Sequence, residues 1–149
     1  MIRIRQATPE DAEALVAFQL AMALEVEKVH LDGPTLAAGV RAALADPAKG
    51  PYWLAEVDGR VAGCMQVTTE WSDWRNGTIL WMQSVYVLPE FRRRGVFGSL
   101  FRHVRGIVQR DDSLKGLRLY VDRRNAAAQR TYEALGMDGE HYRMYEWLK

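Results

Sequence analysis

Arg92, Arg93 and Arg94 stand together just before Gly95 and Gly98, where an apolar run gives way to a helical stripe. Three cations at a helix start conflict with the helix itself, whose first N–H groups are unpaired and partly positive. An anion seated among them removes the conflict, and glycines let the backbone approach it closely. The window 92–98 therefore reads as a pyrophosphate cradle or, failing an anion, as a solvated basic turn. Two carboxylates, Glu25 and Glu27, fall late in an earlier helical pattern. At ~100° per residue, Glu25 lies at the edge of the apolar stripe and Glu27 well off it. Glu25 thus faces either a cleft or solvent. Trp71 and Trp74 flank a turn, where they either wall a pocket or cap a sheet edge.

These residues need elements to position them. Ile2 and Ile4 alternate with Arg3 and Arg5 as in a short strand. Thr8-Pro9-Glu10-Asp11 starts a helix whose apolar residues, Leu15, Phe18, Met22, Val26 and Val29, follow at steps of three and four. Leu31-Asp32-Gly33-Pro34 breaks the chain, and Leu36, Val40 and Leu44 predict a second helix. Tyr52 to Val57 and Arg60 to Thr69 read as strands joined at Asp58-Gly59, a hairpin signal. Asn76-Gly77 turns into a central strand, Thr78 to Leu88, whose apolar run suits burial on both faces and stops at Pro89. A helix follows from Arg94 to about Gln109, then a strand through Leu117, Leu119 and Val121. Asn125 caps a helix from Ala126 to Leu135, with Gly136 as its terminator. The tail, His141 to Leu148, alternates as a returning strand. The order is β-α-α-β-β-β-α-β-α-β, an α/β mixture of the α+β kind, in one domain spanning 1–149.

The 149 residues are 48% hydrophobic and 26% charged, with 20 basic and 19 acidic side chains and a net charge of +1. A chain so balanced has no global field for nucleic acid, so the arginine cluster is a local device. Cys64 is the single cysteine, and His30, His103 and His141 lie too far apart in sequence for metal-ligand spacing. The N-terminus is no signal peptide and no apolar run would span a bilayer, so a cytoplasmic location is expected, with neither membrane nor nucleic acid as partner. A Gly-x-Gly-x-x-Gly after the first strand is absent, as is Gly-Lys-Ser/Thr.

Asn125, Tyr132 and Leu135 share one helical face. The stretch Asn125-Ala126-Ala127-Ala128-Gln129-Arg130-Thr131-Tyr132-Glu133-Ala134-Leu135-Gly136-Met137 resembles the second cofactor motif of the GNAT superfamily of acyl-CoA-dependent N-acetyltransferases. Arg92-x-x-Gly95 after Val85-Tyr86-Val87-x-Pro89 resembles that family's pyrophosphate loop. The two motifs lie about 30 residues apart on the expected elements, and the element order matches along nearly the whole chain. One position departs: the second small residue of the loop is replaced by Phe97, with Gly98 one place later.

The resemblance implies acetyl-CoA as co-substrate, no metal, and a small-molecule or peptide amine as acceptor. It implies that Val85, Tyr86 and Val87 offer backbone groups to the pantetheine arm, one N–H also polarising the thioester carbonyl. Arg93, Arg94, Gly95, Val96, Phe97 and Gly98 would hold the pyrophosphate. Asn125 would bond the pantetheine arm, and Tyr132, near the sulfur, would protonate the departing thiolate. Arg123 and Arg124 either reach the phosphates or face solvent. An alkylamine with a pKa of roughly 10 must lose a proton before it attacks. Glu25 is the first candidate for that base or for an acceptor contact. Glu27 and Glu70 are further candidates for the base, and Glu27, Trp74 and Gln83 are candidates on the acceptor side. Gln83 and Ser84 interrupt an apolar strand, either to orient water or acceptor or to accommodate a β-bulge of the kind the family tends to have there. The competing readings are a non-catalytic acyl-CoA sensor and an arginine-rich nucleic-acid binder. An exposed sheet edge near the C-terminal strand leaves a homodimer open.

Overall fold

Alternating side chains at the N-terminus form β1 (Ile2–Gln6), which pairs antiparallel with β2 (Tyr52–Val57). The computed structural model describes residues 1–149. They form two compact units, Met1–Arg118 and Leu119–Lys149.

In the first unit, β2 turns into β3 (Arg60–Ser72) through Asp58 and Gly59, both at positive φ (50° and 80°). That is the mirror-image turn whose twist matches a right-twisted hairpin. β3 runs antiparallel to β4 (Gly77–Val87), and β4 pairs in parallel with β5 (Leu114–Arg118). The sheet is mixed, in the order β1-β2-β3-β4-β5.

Helices cover both faces of this sheet. α1 (Ala12–Met22) and α2 (Gly33–Ala45) pack Leu15, Phe18, Val40 and Ala43 against Tyr52, Leu54, Cys64 and Tyr86. α3 (Val96–Arg110) lies on the other face: His103 packs against Trp53 with the rings tilted by 56° (centroids 4.4 Å apart), and Val96 comes against Gly63. Trp53 alternates with Tyr52 and Leu54, and Gly63 with Cys64, as a pleated sheet requires. Asp11 accepts from the Thr8 N–H (2.7 Å) at the helix start, and Arg5 joins Asp11 to Glu56 on β2.

The single long first helix expected from the apolar spacing is interrupted. After Met22 the chain widens into a π-helical turn, Ala23–Glu27, ended by Lys28 at φ 58°. The stripe therefore loses its register, and Leu24, Val26 and Val29 face solvent. β5 also ends earlier than the pattern Leu117-Leu119-Val121 suggests. Its ladder stops with Arg118 opposite Trp81, short of an irregularity in β4 at Ser84.

In the second unit, Asn125 caps α4 (Ala126–Ala134) by accepting from the Ala128 N–H (3.1 Å), and Gly136 follows at φ 88°. The closing strand expected from His141 to Leu148 does not form; residues 137–149 carry no regular structure, and Tyr145 and Trp147 are 86% and 89% exposed. Alternation marks a strand only where a partner takes its backbone groups, and this unit contains one helix and no second strand.

Candidate active site

Two features of β4 set the site. The first is a bulge. The β3–β4 register runs Gln66↔Gln83 and then Cys64↔Tyr86, so Met65 alone faces both Ser84 and Val85. Ser84 takes φ 50°, a left-handed conformation that a serine inside a strand adopts only under constraint. The second is a divergence. β5 pairs with β4 only from Thr78 to Trp81, so Met82 to Val87 have β3 as their one strand neighbour. An extended ligand with amide groups can add to such a strand edge. Val85, Tyr86 and Val87, the expected pantetheine contacts, lie on that stretch.

The chain leaves β4 through a turn, Pro89–Phe91, and enters α3 at Gly95. Arg93 (φ 58°) and Gly95 (φ 81°) are both left-handed, and this double reversal folds the loop back into the helix. The first intrahelical bond runs from the Ser99 N–H to the Gly95 carbonyl (2.9 Å), so α3 opens at positions 96–98. An anion is stabilised at such an end. Phe97 is partly buried, with its ring toward Phe101 (centroids 6.3 Å). Its bulk therefore lies along the helix, and the helical backbone at 96–98 is kept despite the departure from the family's small residue.

The three arginines divide. Arg94 lies over the Phe91 ring (5.8 Å), and Arg93 is exposed. Arg92 turns the other way. Its guanidinium donates to both oxygens of Glu25 (2.5 and 2.9 Å), its Nε donates to the Val87 carbonyl (2.9 Å), and it stacks over Tyr86 (5.5 Å). Hydrogen bonds from Arg92 hold the Glu25 carboxyl below the usual glutamate range. A carboxylate so held is a weak base. Tyr86 lies between this pair and Phe18 of α1 (centroids 5.6 Å), and burial first, then the nearby Glu25 charge, pushes its phenol up.

Glu70 accepts from Trp81 Nε1 (3.2 Å) and Arg118 (2.6 Å), and these bonds hold its carboxyl down as well. It ties β3 to β4 and β5. Gln83 donates across the strands to Thr68 Oγ1 (2.5 Å). Glu27 is exposed, and Trp74 is 87% exposed in the β3–β4 connection.

Within the second unit, the Asn125 side-chain oxygen is used in the α4 cap. Tyr132 is partly buried, and that burial pushes its phenol above the usual tyrosine range. Asp122 binds the Arg124 guanidinium (2.7 and 3.0 Å) and is itself lowered to about 2 by those bonds.

One residue near the bulge was missed in the sequence. Gln19 of α1 is buried (4% exposed), and its Nε2 donates to the Ser84 carbonyl at 3.3 Å. It falls on the apolar face of α1 among Leu15, Phe18 and Met22. A polar residue inside that stripe was the available signal.

Residues 17–137 match the Acetyltransferase (GNAT) family. The chain belongs to that family, and it is a GNAT acetyltransferase. A structure described as a possible acetyltransferase from Clostridium difficile 630 is 42% identical, with a TM-score of 0.92 over 100% of this chain and 98% of that one. A ribosomal-protein-alanine N-acetyltransferase from Brucella melitensis biovar Abortus 2308 is 17% identical (TM-score 0.80, all of both chains). The aminoglycoside N-acetyltransferase AAC(6')-Iy, solved with CoA, is 20% identical (TM-score 0.77, 100% of this chain and 95% of that one). These last two show a shared fold. No curated protein matches the chain. No helix is long and apolar enough to cross a membrane.

Proposed function

We propose that residues 1–149 work as one N-acetyltransferase domain that moves an acetyl group from acetyl-CoA directly to a primary amine. The observation that carries this reading is the pairing of a bulged, diverging β4 with the open N-terminus of α3. The strand edge at Val85–Val87 suits the amides of a pantetheine arm, and the α3 amides at 96–98, with Arg93 and Arg94 beside them, suit a pyrophosphate. Acetyl-CoA supplies the thioester: the reaction forms an amide C–N bond, breaks the C–S bond and transfers one proton from the amine side to the sulfur side.

The chain's own residues serve those changes. The Val85 N–H donates to the carbonyl oxygen as charge builds on it. Glu25 takes the second of its two expected roles, contact for a cationic acceptor, because Arg92 already occupies it as a cation would. The free amine then forms by proton loss to water. Tyr132, an ordinary phenol that burial shifts further upward, is protonated at neutral pH and so has a proton to give the leaving thiolate. That role and the pantetheine contact of Asn125 rest on the motif. The acceptor is a small-molecule or peptide amine, and the enzymes at 17% and 20% identity are too distant to choose between those classes.

Free-thiol release from acetyl-CoA against a panel of amines tests the reading. Release that requires an amine and falls by roughly tenfold to a hundredfold in Tyr132→Phe, with CoA binding kept, is expected. Tight acetyl-CoA binding without turnover on any amine would favour the sensor reading instead.

A further inference from the structure

The geometry points to Gln19 as a positioning residue: it holds the Ser84 carbonyl so that the Val85 N–H is presented on the edge of β4 that faces away from β3. This deepens the proposed function and rests on its assignment of the Val85 N–H to the thioester carbonyl.

Ser84 C=O and Val85 N–H belong to one trans peptide, so they point in opposite directions. Two donors converge on the carbonyl: Gln19 Nε2 at 3.3 Å from α1, and Cys64 Sγ at 3.4 Å from β3. Gln19 also lies 3.5 Å from that sulfur. The carbonyl is therefore drawn toward β3 and α1. Its partner N–H must point away from β3, toward the side where β5 ends at Arg118 opposite Trp81. That is the side on which β4 has no strand neighbour beyond Trp81.

A regular strand would not produce this. The plane is rotated because Ser84 sits at φ 50° within a bulge, and a non-glycine residue leaves that conformation unless surrounding contacts hold it. A buried glutamine on a helix is such a contact. Its own burial is tolerated because its donor is used. Gln19 touches no substrate; it acts through the backbone of residues 84 and 85.

Isotope-edited infrared spectroscopy of [1-13C]acetyl-CoA, bound to the intact protein without an amine, reads the polarisation directly. The wild type is expected to shift the carbonyl stretch to lower frequency. Gln19→Leu, which keeps bulk and removes the donor, is expected to lose most of that shift. It should lower kcat by roughly tenfold or more, a share of the larger loss seen when an oxyanion donor is deleted. Its acetyl-CoA affinity should stay within about threefold, because the α3 amides at 96–98 and the backbone groups of Tyr86 and Val87 do not depend on Gln19. If Gln19→Leu does not fold, Gln19→Met, unbranched and similar in length, takes its place.

An unchanged shift and kcat in the variant would overturn the inference and leave the function standing. Loss of acetyl-CoA binding along with the shift would also overturn it, since Gln19 would then support the fold at large. A wild type that binds acetyl-CoA with no carbonyl shift would remove the Val85 assignment itself, and this inference with it.

Discussion

Two tethers join the first helical region to β4 and its loop, and they differ in kind. Gln19, itself buried, reaches Ser84 from the core side through a neutral, part-buried hydrogen bond. Glu25 reaches Arg92 from the π-helical turn, through an ion pair whose side chains are 41% and 40% exposed. The first is hard to exchange, because nothing in a closed core replaces a lost partner. The second is easily exchanged, because water or another cation can stand in for either member. A backbone conformation that must not vary is held by the buried tether. A contact that must open for an acceptor is made by the exposed one.

Removing the tethers one at a time should expose that difference most plainly. Gln19→Ala leaves the Ser84 carbonyl with one donor fewer and opens a cavity, so it should cost about 2–3 kcal/mol in urea unfolding. Glu25→Ala should cost under about 1 kcal/mol. Equal losses would mean that the ion pair is as structural as the amide, and the comparison would fail.

Cys64 supplies a second contrast, because it belongs to the buried tether yet is titratable. Burial pushes its thiol from 9.0 up to about 12. The folded state thus holds the proton more tightly than the unfolded chain. Its contribution is fully present below the unfolded thiol's pKa and is lost as pH rises through the folded value. Between pH 8 and 10.5 this group should remove on the order of 2 kcal/mol of stability. Cys64→Ala should flatten that slope in urea titrations at the two pH values. The native thiol should also resist alkylation until the protein unfolds.

Why one tether could be anticipated and the other not is a matter of what periodicity records. Glu25 was visible as a carboxylate at the edge of an apolar stripe, so a cleft role could be stated from spacing. Its partner could not, because Arg92 lies 67 positions along the chain and only the tertiary fold brings the two together. The arginine run read as one anion cradle, yet the three guanidiniums take three different surroundings. The hairpin at Asp58-Gly59, the α3 start and the Asn125 cap were legible because each depends on local turn or cap chemistry. The π-helical turn and the short β5 were not: apolar spacing does not record a widened turn, and the extent of β5 depends on its pairing with β4, which ends at Trp81. The tail from His141 has strand alternation, but alternation carries no information about whether a partner strand is within reach.

The smallest expected effect is the response of the Glu25–Arg92 pair to acid and salt. Arg92 lowers the Glu25 pKa, so the pair's contribution is present above the ordinary glutamate value and is lost as pH falls through the depressed one. Across pH 6 to 8 it should therefore be constant. A double-mutant cycle with Glu25→Gln and Arg92→Gln should give a coupling of roughly 0.5 kcal/mol at pH 7, since both members are more than a third exposed. Raising salt from about 0.05 to 0.5 M should reduce that coupling further, as screening does for an exposed pair. The kinetic counterpart separates the two roles of the pair. If Glu25 meets a cationic acceptor, Glu25→Gln raises KM for the amine and leaves KM for acetyl-CoA near its original value, whereas Arg92→Gln, which removes the competing cation, lowers KM for the amine. Opposite signs from the two partners of one ion pair follow from exchange alone; a purely structural pair would move both constants in the same direction.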